Sequence, residues 1–246
     1  MARWYIVAAM HHFFARFLSL AMLVFAIDGF AQALDLHDRL AACAACHGEH
    51  GEGKRGAEYY PHLAGKPAGY LFDQLQGFRD GRRVYPQMVS LVQYLDDAYM
   101  RDIADYYAAQ APRLRAADNA APSLSAVMQE RAEQLVRHGD AAAGVPACSA
   151  CHGTDLTGLE PGIPALVGLP ADYIVAQLGG WQNGVRHSTA PDCMANIAGK
   201  LTSENIIAVA AWLSQQSFAD ARHPAAAGTF VPPLACGKLP FAQAAP

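Results

Sequence analysis

Residues 43–48 read Cys-Ala-Ala-Cys-His-Gly, and residues 148–153 read Cys-Ser-Ala-Cys-His-Gly. In both stretches two cysteines stand three positions apart, and a histidine follows the second cysteine directly. The chain has six cysteines, so these two stretches contain most of them. Identical spacing in two places is typical neither of a disulfide scaffold nor of a cytosolic enzyme with scattered thiols.

The sequence after each of these stretches repeats as well, first at an offset of 103 residues and then at 106. Residues 34–115 and 125–216 are therefore two copies of one unit, and the polar, proline-containing stretch 116–124 is predicted to be a linker. The matches at 103 join Pro61, Leu63, Gly65, Pro67, Tyr70, Gln74, Leu75, Gly81 and Arg83 to Pro164, Leu166, Gly168, Pro170, Tyr173, Gln177, Leu178, Gly184 and Arg186. The matches at 106 join Met88, Leu95, Ile103, Ala104 and Gln110 to Met194, Leu201, Val209, Ala210 and Gln216.

Composition narrows the class of protein. Of the 246 residues 52% are hydrophobic and 16% are charged, which excludes a chain that is disordered throughout. The 18 Lys and Arg residues do not exceed the 22 Asp and Glu residues, so the basic surplus of a nucleic-acid-binding protein is missing. We expect no nucleic acid among the partners.

The N-terminal segment, residues 1–33, is predicted to be a signal peptide. It has an apolar run over 17–27, followed by Ala-Gln-Ala at 31–33, the pattern that a signal peptidase accepts. An uncleaved membrane anchor is the alternative, although His11 and His12 interrupt the apolar stretch. Cleavage after residue 33 would remove two arginines and one aspartate, changing the formal net charge from −4 to −5. The predicted location is the periplasm.

Helical periodicity dominates the two copies. Apolar residues recur at helical spacing over 68–79, 97–109, 125–138 and 204–215, whereas strand signals are nearly absent. The predicted fold class is all-α, followed by an irregular extension over 217–246. Each copy has only about 80–90 residues, so we expect a bulky apolar group to complete each core.

Cys-x-x-Cys-His is the pattern of c-type haem attachment. On one helical turn, Cys43 and Cys46 in the first copy, and Cys148 and Cys151 in the second, can each add to a haem vinyl group. His47 and His152 then face the iron. A zinc ribbon would need its two cysteine pairs about 15–20 residues apart, and a thioredoxin-like dithiol would need a βαβ context. Two covalently attached haem c groups are therefore predicted.

The second iron ligand in each copy must come from elsewhere. Met88 and Met194 lie 41 and 42 residues after the motif histidines, at matching positions of the repeat. Met100 and Met128 have no counterpart and are predicted to be packing residues. His/Met ligation raises the reduction potential and leaves no open position for a substrate, which favours electron transfer over catalysis.

Two further pairs of matching residues are candidates around the haems. The carbonyls of Pro61 and Pro164 would accept a hydrogen bond from the histidine nitrogen that faces away from iron; simple turn prolines are the alternative. Arg83 and Arg186 would pair with haem propionates, or else be solvated charges.

These residues, taken together, resemble the dihaem cytochromes c4 of the class I cytochrome c superfamily. The resemblance covers residues 38–216. It is carried by the two haem motifs and by four further segments. In the first copy these are Tyr-Leu-Phe-Asp-Gln-Leu-Gln-Gly-Phe-Arg-Asp-Gly-Arg-Arg at 70–83 and Pro-Gln-Met at 86–88. In the second they are Gly-Val-Pro-Ala at 144–147 and Leu-Thr-Ser-Glu-Asn-Ile-Ile-Ala-Val-Ala-Ala-Trp at 201–212.

The resemblance implies two tandem class I cytochrome c domains related by a pseudo-twofold axis, with haems close enough to exchange electrons. It also implies axial pairs of His47 with Met88 and His152 with Met194. The implied role is a periplasmic carrier between a quinol-oxidising complex and a terminal oxidase, with possible loose membrane association.

The chain departs from that family in its extension and in a further cysteine pair, Cys193 and Cys236. A disulfide between them, tying the extension down beside the second haem, is expected in an oxidising compartment. The alternative makes Cys193 itself an iron ligand, which would lower the potential and suggest catalysis at that haem.

Three functions follow from these alternatives. The first is a soluble electron shuttle, the second a dedicated cytochrome subunit of a periplasmic dehydrogenase, and the third a dihaem oxidoreductase with a Cys193-ligated haem. We expect no enzymatic activity and a monomer or weak dimer. An acidic protein favours redox partners with basic docking patches.

Overall fold

The structure is a computed structural model that describes residues 35–55, 59–112, 123–216 and 223–237. The predicted signal peptide and most of the predicted linker lie outside these residues. The chain divides into two units, residues 1–40 and 41–246. The described part of the first unit is one short helix, α1 (Leu36–Arg39), whose first turn is capped by the Asp35 carboxylate.

The second unit contains both copies of the repeat, of which residues 41–112 are called here the first half and residues 123–216 the second half. The domain boundaries predicted at 115 and 125 lie at or beside undescribed residues and stay a prediction. The first half contains α2 (Ala41–His47), the antiparallel strands β1 (Lys54–Arg55) and β2 (Tyr59–Tyr60), α3 (Ala68–Arg79), α4 (Pro86–Val92) and α5 (Asp97–Ala108). The second half contains α6 (Ala126–Arg137), α7 (Cys148–His152), α8 (Ala171–Gln182), α9 (Cys193–Ala198) and α10 (Ser203–Gln215).

All four helices predicted from periodicity are present, with ends within one residue of the prediction. Local caps fix where two of them begin. The Asp96 carboxylate accepts from the Tyr99 amide at the start of α5, and the Thr202 hydroxyl accepts from the Asn205 amide at the start of α10. Each cap satisfies an amide that has no partner inside the helix. The described chain is helical with little strand, which confirms the all-α fold class.

Each half has its own apolar core. In the first half α3 packs on α5, and Phe78, Val92 and Met100 are buried together. In the second half α10 packs on α6 and α8, and its buried residues extend along most of the helix. Met100 is fully buried and Met128 packs against the second core, so both are packing residues as predicted.

The two halves meet at equivalent residues. Arg83 and Arg186 form an antiparallel β-bridge, which two main-chain hydrogen bonds flank. The Val84 amide donates to the Val185 carbonyl (2.9 Å), and the His187 amide donates to the Arg82 carbonyl (2.6 Å). At the offset of 103 residues Val84 corresponds to His187 and Arg82 to Val185, so each bond is the image of the other. The contact is therefore pseudo-twofold.

The described part of the extension, residues 223–237, contains no helix and is here called the strap. Cys236 in the strap is disulfide-bonded to Cys193, with 5.1 Å between the Cα atoms, which confirms the predicted pairing. No helix within the described ranges has the length and apolar character needed to cross a membrane.

Candidate haem sites

The two motif helices hold their cysteines on single turns. Cys43 and Cys46 lie in α2, Cys148 and Cys151 lie in α7, and none of the four is in a disulfide. Burial raises the pKa of Cys43 and Cys151 and raises that of Cys148 to about 11. A redox-active dithiol has the opposite shift, because its attacking sulfur needs a lowered pKa.

The imidazoles of the two motifs are fixed in the same way. His47 Nδ1 lies 2.8 Å from the Pro61 carbonyl oxygen, and His152 Nδ1 lies 2.8 Å from the Pro164 carbonyl oxygen. A carbonyl only accepts, so Nδ1 must carry the proton and Nε2 keeps its lone pair. Burial lowers the pKa of both histidines, which keeps the rings neutral. A neutral imidazole with Nδ1–H donated to a carbonyl is the form that binds a metal through Nε2.

The loop after each motif closes back on it in both halves. The Gly53 amide donates to the His47 carbonyl (2.7 Å), and the Gly158 amide donates to the His152 carbonyl (2.8 Å). Both glycines have positive φ, +79° and +95°. A Cβ there would lie 2.7 Å from the His62 amide nitrogen or 2.4 Å from the Ile163 carbonyl oxygen. Glycine is therefore required to bring the proline-containing segment up to each motif.

A cavity of about 590 Å³ lies beside the second motif. It brings together Cys148, Cys151, His152 and Met194, which the sequence predicted as one haem site. Its walls also include apolar side chains of the second core, such as Leu178, Val209 and Leu213. In the first half Met88 lies in α4 and packs against the cluster of Phe78, Val92 and Met100.

Arg83 and Arg186 are not solvated charges, because they lie in a polar cluster between the halves. Each guanidinium donates to both Gln74 and Gln177, over 2.6–3.1 Å. Each also donates to the tyrosine of the opposite half, Arg83 to Tyr173 and Arg186 to Tyr70, both at 3.4 Å. The aromatic side chains stacked on them are equivalent too: Phe78 lies under Arg83 at 4.6 Å and Trp181 under Arg186 at 3.9 Å.

Lys66 adds a second buried cation, beside Arg186, that sequence reasoning missed. The Lys66 side chain lines the cavity beside the second motif, and burial lowers its pKa. Burial, followed by the charge of Arg83, also lowers the pKa of Arg186. Among the described residues no carboxylate forms an ion pair with Lys66, Arg83 or Arg186. The sequence carried a signal for this cluster, because polar residues that recur in both copies of the repeat mark it. These residues are Tyr70 and Gln74 in the first copy and Tyr173 and Gln177 in the second.

These features fit a group with an apolar body and carboxylates at one side. Buried cations need a counter-charge, because an isolated charge in a protein interior is costly. Trp181 also lines the cavity, and its indole nitrogen is buried without a hydrogen-bond partner in the described structure. A haem has such an apolar ring and two propionates, so the cavity residues match it in both chemistry and polarity.

The disulfide bears on the alternative in which Cys193 binds iron. Cys193 lies directly before Met194, and both line the cavity. Because the Cys193 sulfur is bonded to Cys236, it has no thiolate to offer iron. The alternative of a Cys193-ligated haem therefore does not fit this structure.

Comparison with known proteins agrees with this site. The Cytochrome c family model matches residues 38–121. A thiosulfate dehydrogenase electron acceptor from Thiomonas intermedia is 38% identical over 72% of this chain and 79% of its own length. A cytochrome c4 from Pseudomonas aeruginosa is 35% identical over 71% of this chain and 84% of its own length.

Solved structures give the same assignment. Reduced recombinant cytochrome c4 from Pseudomonas stutzeri has a TM-score of 0.62 and 30% identity, covering 75% of this chain and 98% of that one. A thiosulfate dehydrogenase (TsdBA) from Marichromatium purpuratum has a TM-score of 0.62 and 32% identity, covering 71% of this chain. Our chain spans only 36% of that larger protein. The protein is therefore a member of the cytochrome c4 family, a two-domain electron-transfer cytochrome with two covalently attached haem c groups.

Proposed function

We propose that the protein carries electrons in the periplasm from a respiratory donor, either a dehydrogenase or a quinol-oxidising complex, to a terminal oxidase or another acceptor. The observation that carries the proposal is the paired arrangement of His47 with Pro61 and His152 with Pro164. Each haem, when bound, supplies a one-electron iron couple. The Pro61 and Pro164 carbonyls hold the two imidazoles in a fixed orientation, so little rearrangement is needed between oxidation states.

In this proposal Met88 and Met194 complete the two iron sites. The four cysteines hold the porphyrins covalently. If a histidine and a methionine of the chain both bound each iron, no position would be left for a substrate, and the protein would be a carrier without catalytic activity of its own.

The cationic cluster supports electron exchange between the halves. Arg83 and Arg186 bond to the same two glutamines across the pseudo-twofold contact. If each arginine pairs with a propionate of its own half, the propionate sides of the two haems face one contact. An electron that enters one half can then pass to the haem of the other half.

The donor that we favour is a thiosulfate dehydrogenase. Two observations support this choice: the identity of 38% to an electron acceptor of that enzyme, and the structural similarity to a thiosulfate dehydrogenase. The partner would carry a basic patch, because the chain has a formal net charge of −4. A dedicated subunit of the dehydrogenase is the second form of the same function, and copurification as a stable complex would distinguish it from a free carrier.

The direct experiment mixes the oxidised dihaem protein with a purified thiosulfate dehydrogenase and thiosulfate and follows haem reduction by stopped-flow absorbance. We expect reduction of both haems that depends on the enzyme, and no reduction by thiosulfate alone. Reduction by thiosulfate without the dehydrogenase would contradict the carrier function. If the enzyme does not reduce the protein but a quinol-oxidising complex reduces it rapidly, the donor is that complex, and the carrier function stands.

A further inference from the structure

The two halves differ at the edge of the motif that carries the second cysteine. Cys46 is partly exposed, whereas its counterpart Cys151 is 8% exposed. Eight residues further along, Lys54 is exposed, whereas its counterpart Leu159 is fully buried. The repeat therefore has one open edge and one covered edge at equivalent places.

The strap is what covers the second half. Ala225 forms a parallel β-bridge with Leu159, and the Glu160 amide donates to the Ala225 carbonyl (2.8 Å). The Ala225 amide donates in turn to the Gly158 carbonyl (3.0 Å). Phe230 packs against the cluster that contains Cys151 and Leu159.

A second attachment holds the other end of the strap. Cys236 is bonded to Cys193, and the Gly237 amide donates to the Pro191 carbonyl (2.9 Å). Cys236 and Gly237 also line the cavity of the second haem site. The strap thus runs from the loop after His152 to the residue before Met194, joining the two segments that supply the proposed iron ligands.

We propose that the strap shields the Cys151 edge of the second haem from other proteins, so that partners exchange electrons with this molecule through the first haem. This rests on the proposed electron-carrier function. Transient redox complexes bury little area and need an exposed cofactor edge. In the described part of the first half the corresponding edge carries the short β1–β2 hairpin, in which Lys54 is exposed.

The test measures exposure of each haem directly. A neutral gadolinium chelate is added to the oxidised dihaem protein, and paramagnetic broadening of the haem methyl resonances is recorded by NMR. Variants of Met88 and Met194 assign the resonances to the two haems. We expect the first-haem methyls to broaden several-fold more than those of the second haem. Equal broadening of both, or stronger broadening of the second, would overturn the proposal.

Two variants of the strap sharpen the test. C193S/C236S removes the covalent attachment, and Phe230→Ala removes the packing on the Cys151 cluster. The control is Val231→Ala, because Val231 is the next residue and is 67% exposed. We expect broadening of the second-haem methyls to rise toward that of the first haem in both variants, and to stay unchanged in the control. If neither variant raises it, the strap is not the shield. Because the measurement needs no redox partner, it is independent of whether thiosulfate dehydrogenase is the donor.

Discussion

Arg83 and Arg186 pair with each other across the molecule: two arginines at equivalent positions of a repeat form one antiparallel bridge, and their guanidiniums share the same two glutamines. Two like charges this close, without a carboxylate partner in the described structure, need anionic groups to compensate them. The bridge therefore links the packing of the halves to the charge of the cofactors.

Replacing either arginine should change the potential of one haem. A nearby cation disfavours the oxidised iron, which carries the extra positive charge, so its removal lowers the reduction potential. We expect Arg186→Gln to lower the potential of the second haem, and Arg83→Gln that of the first, by on the order of tens of millivolts. Spectroelectrochemical titration of each variant measures this. Arg131→Gln is the control, because Arg131 already pairs with Asp140 (2.7 Å). Unchanged potentials in both arginine variants would show that neither faces a propionate.

The proposed methionine ligands make a matched pair. Met88→His and Met194→His should each lower the potential of the haem in their own half, because replacing a His/Met pair by two histidines removes the ligand that raises the potential. Each should also remove half of the near-infrared absorption that Met–iron bonding gives in the oxidised protein. A Met100→Leu variant, altered in the packing of the first core, should keep the full absorption. A variant of Met88 or Met194 with unchanged absorption would remove that residue from the ligand set.

Attachment of the strap should depend on pH through Glu160. Burial raises the pKa of this carboxyl, and the His223 charge lowers it by a smaller amount. The pKa of Glu160 in the folded protein, with the strap attached, lies above its ordinary value. Attachment of the strap is therefore strongest below the ordinary pKa of Glu and weakens as pH rises through the raised value. Hydrogen exchange of the Glu160 amide, corrected for its intrinsic pH dependence, should show less protection at neutral pH than at about pH 4. Glu160→Gln should abolish that pH dependence. If protection in this variant still changes with pH, another group is responsible for the effect.

Docking should depend on ionic strength. With a formal net charge of −4, the protein should meet a basic partner faster at low salt than at high salt, because salt screens attraction between exposed charges. The measurement is the second-order rate of haem reduction by the dehydrogenase over a series of salt concentrations. A rate that does not change with salt would argue against electrostatic docking, and a rising rate would indicate repulsion between two acidic surfaces.

Local chemistry made much of this structure predictable. The apolar periodicity of α5 and α10 lies in contiguous sequence, so both helices could be located without the fold. The motif cysteines and histidines were identified because haem attachment requires two cysteines on one helical turn followed directly by a histidine. The disulfide between Cys193 and Cys236 was expected from the oxidising compartment, with Cys193 as an iron ligand left as the alternative.

What could not be predicted depends on contacts between distant parts of the chain. Lys66 has no polar counterpart in the second copy, where Leu169 occupies its place, so the repeat gave no signal that Lys66 is buried and lines the cavity of the second site. The strap is rich in alanine and proline and shows no periodicity. Its β-bridge beside Leu159 is made by the Glu160 amide and the Gly158 carbonyl, and main-chain groups of this kind leave no pattern in the sequence.

The bridge at Arg83 and Arg186 has the form of an isologous contact, in which one patch meets a second copy of itself. Each half carries the whole patch, so two separate copies of one half could associate through it as a homodimer. Joining them in one chain replaces a concentration-dependent association by an intramolecular one of high effective concentration. The covalent connection thus lets a small, polar contact of this kind hold two redox units together at any dilution.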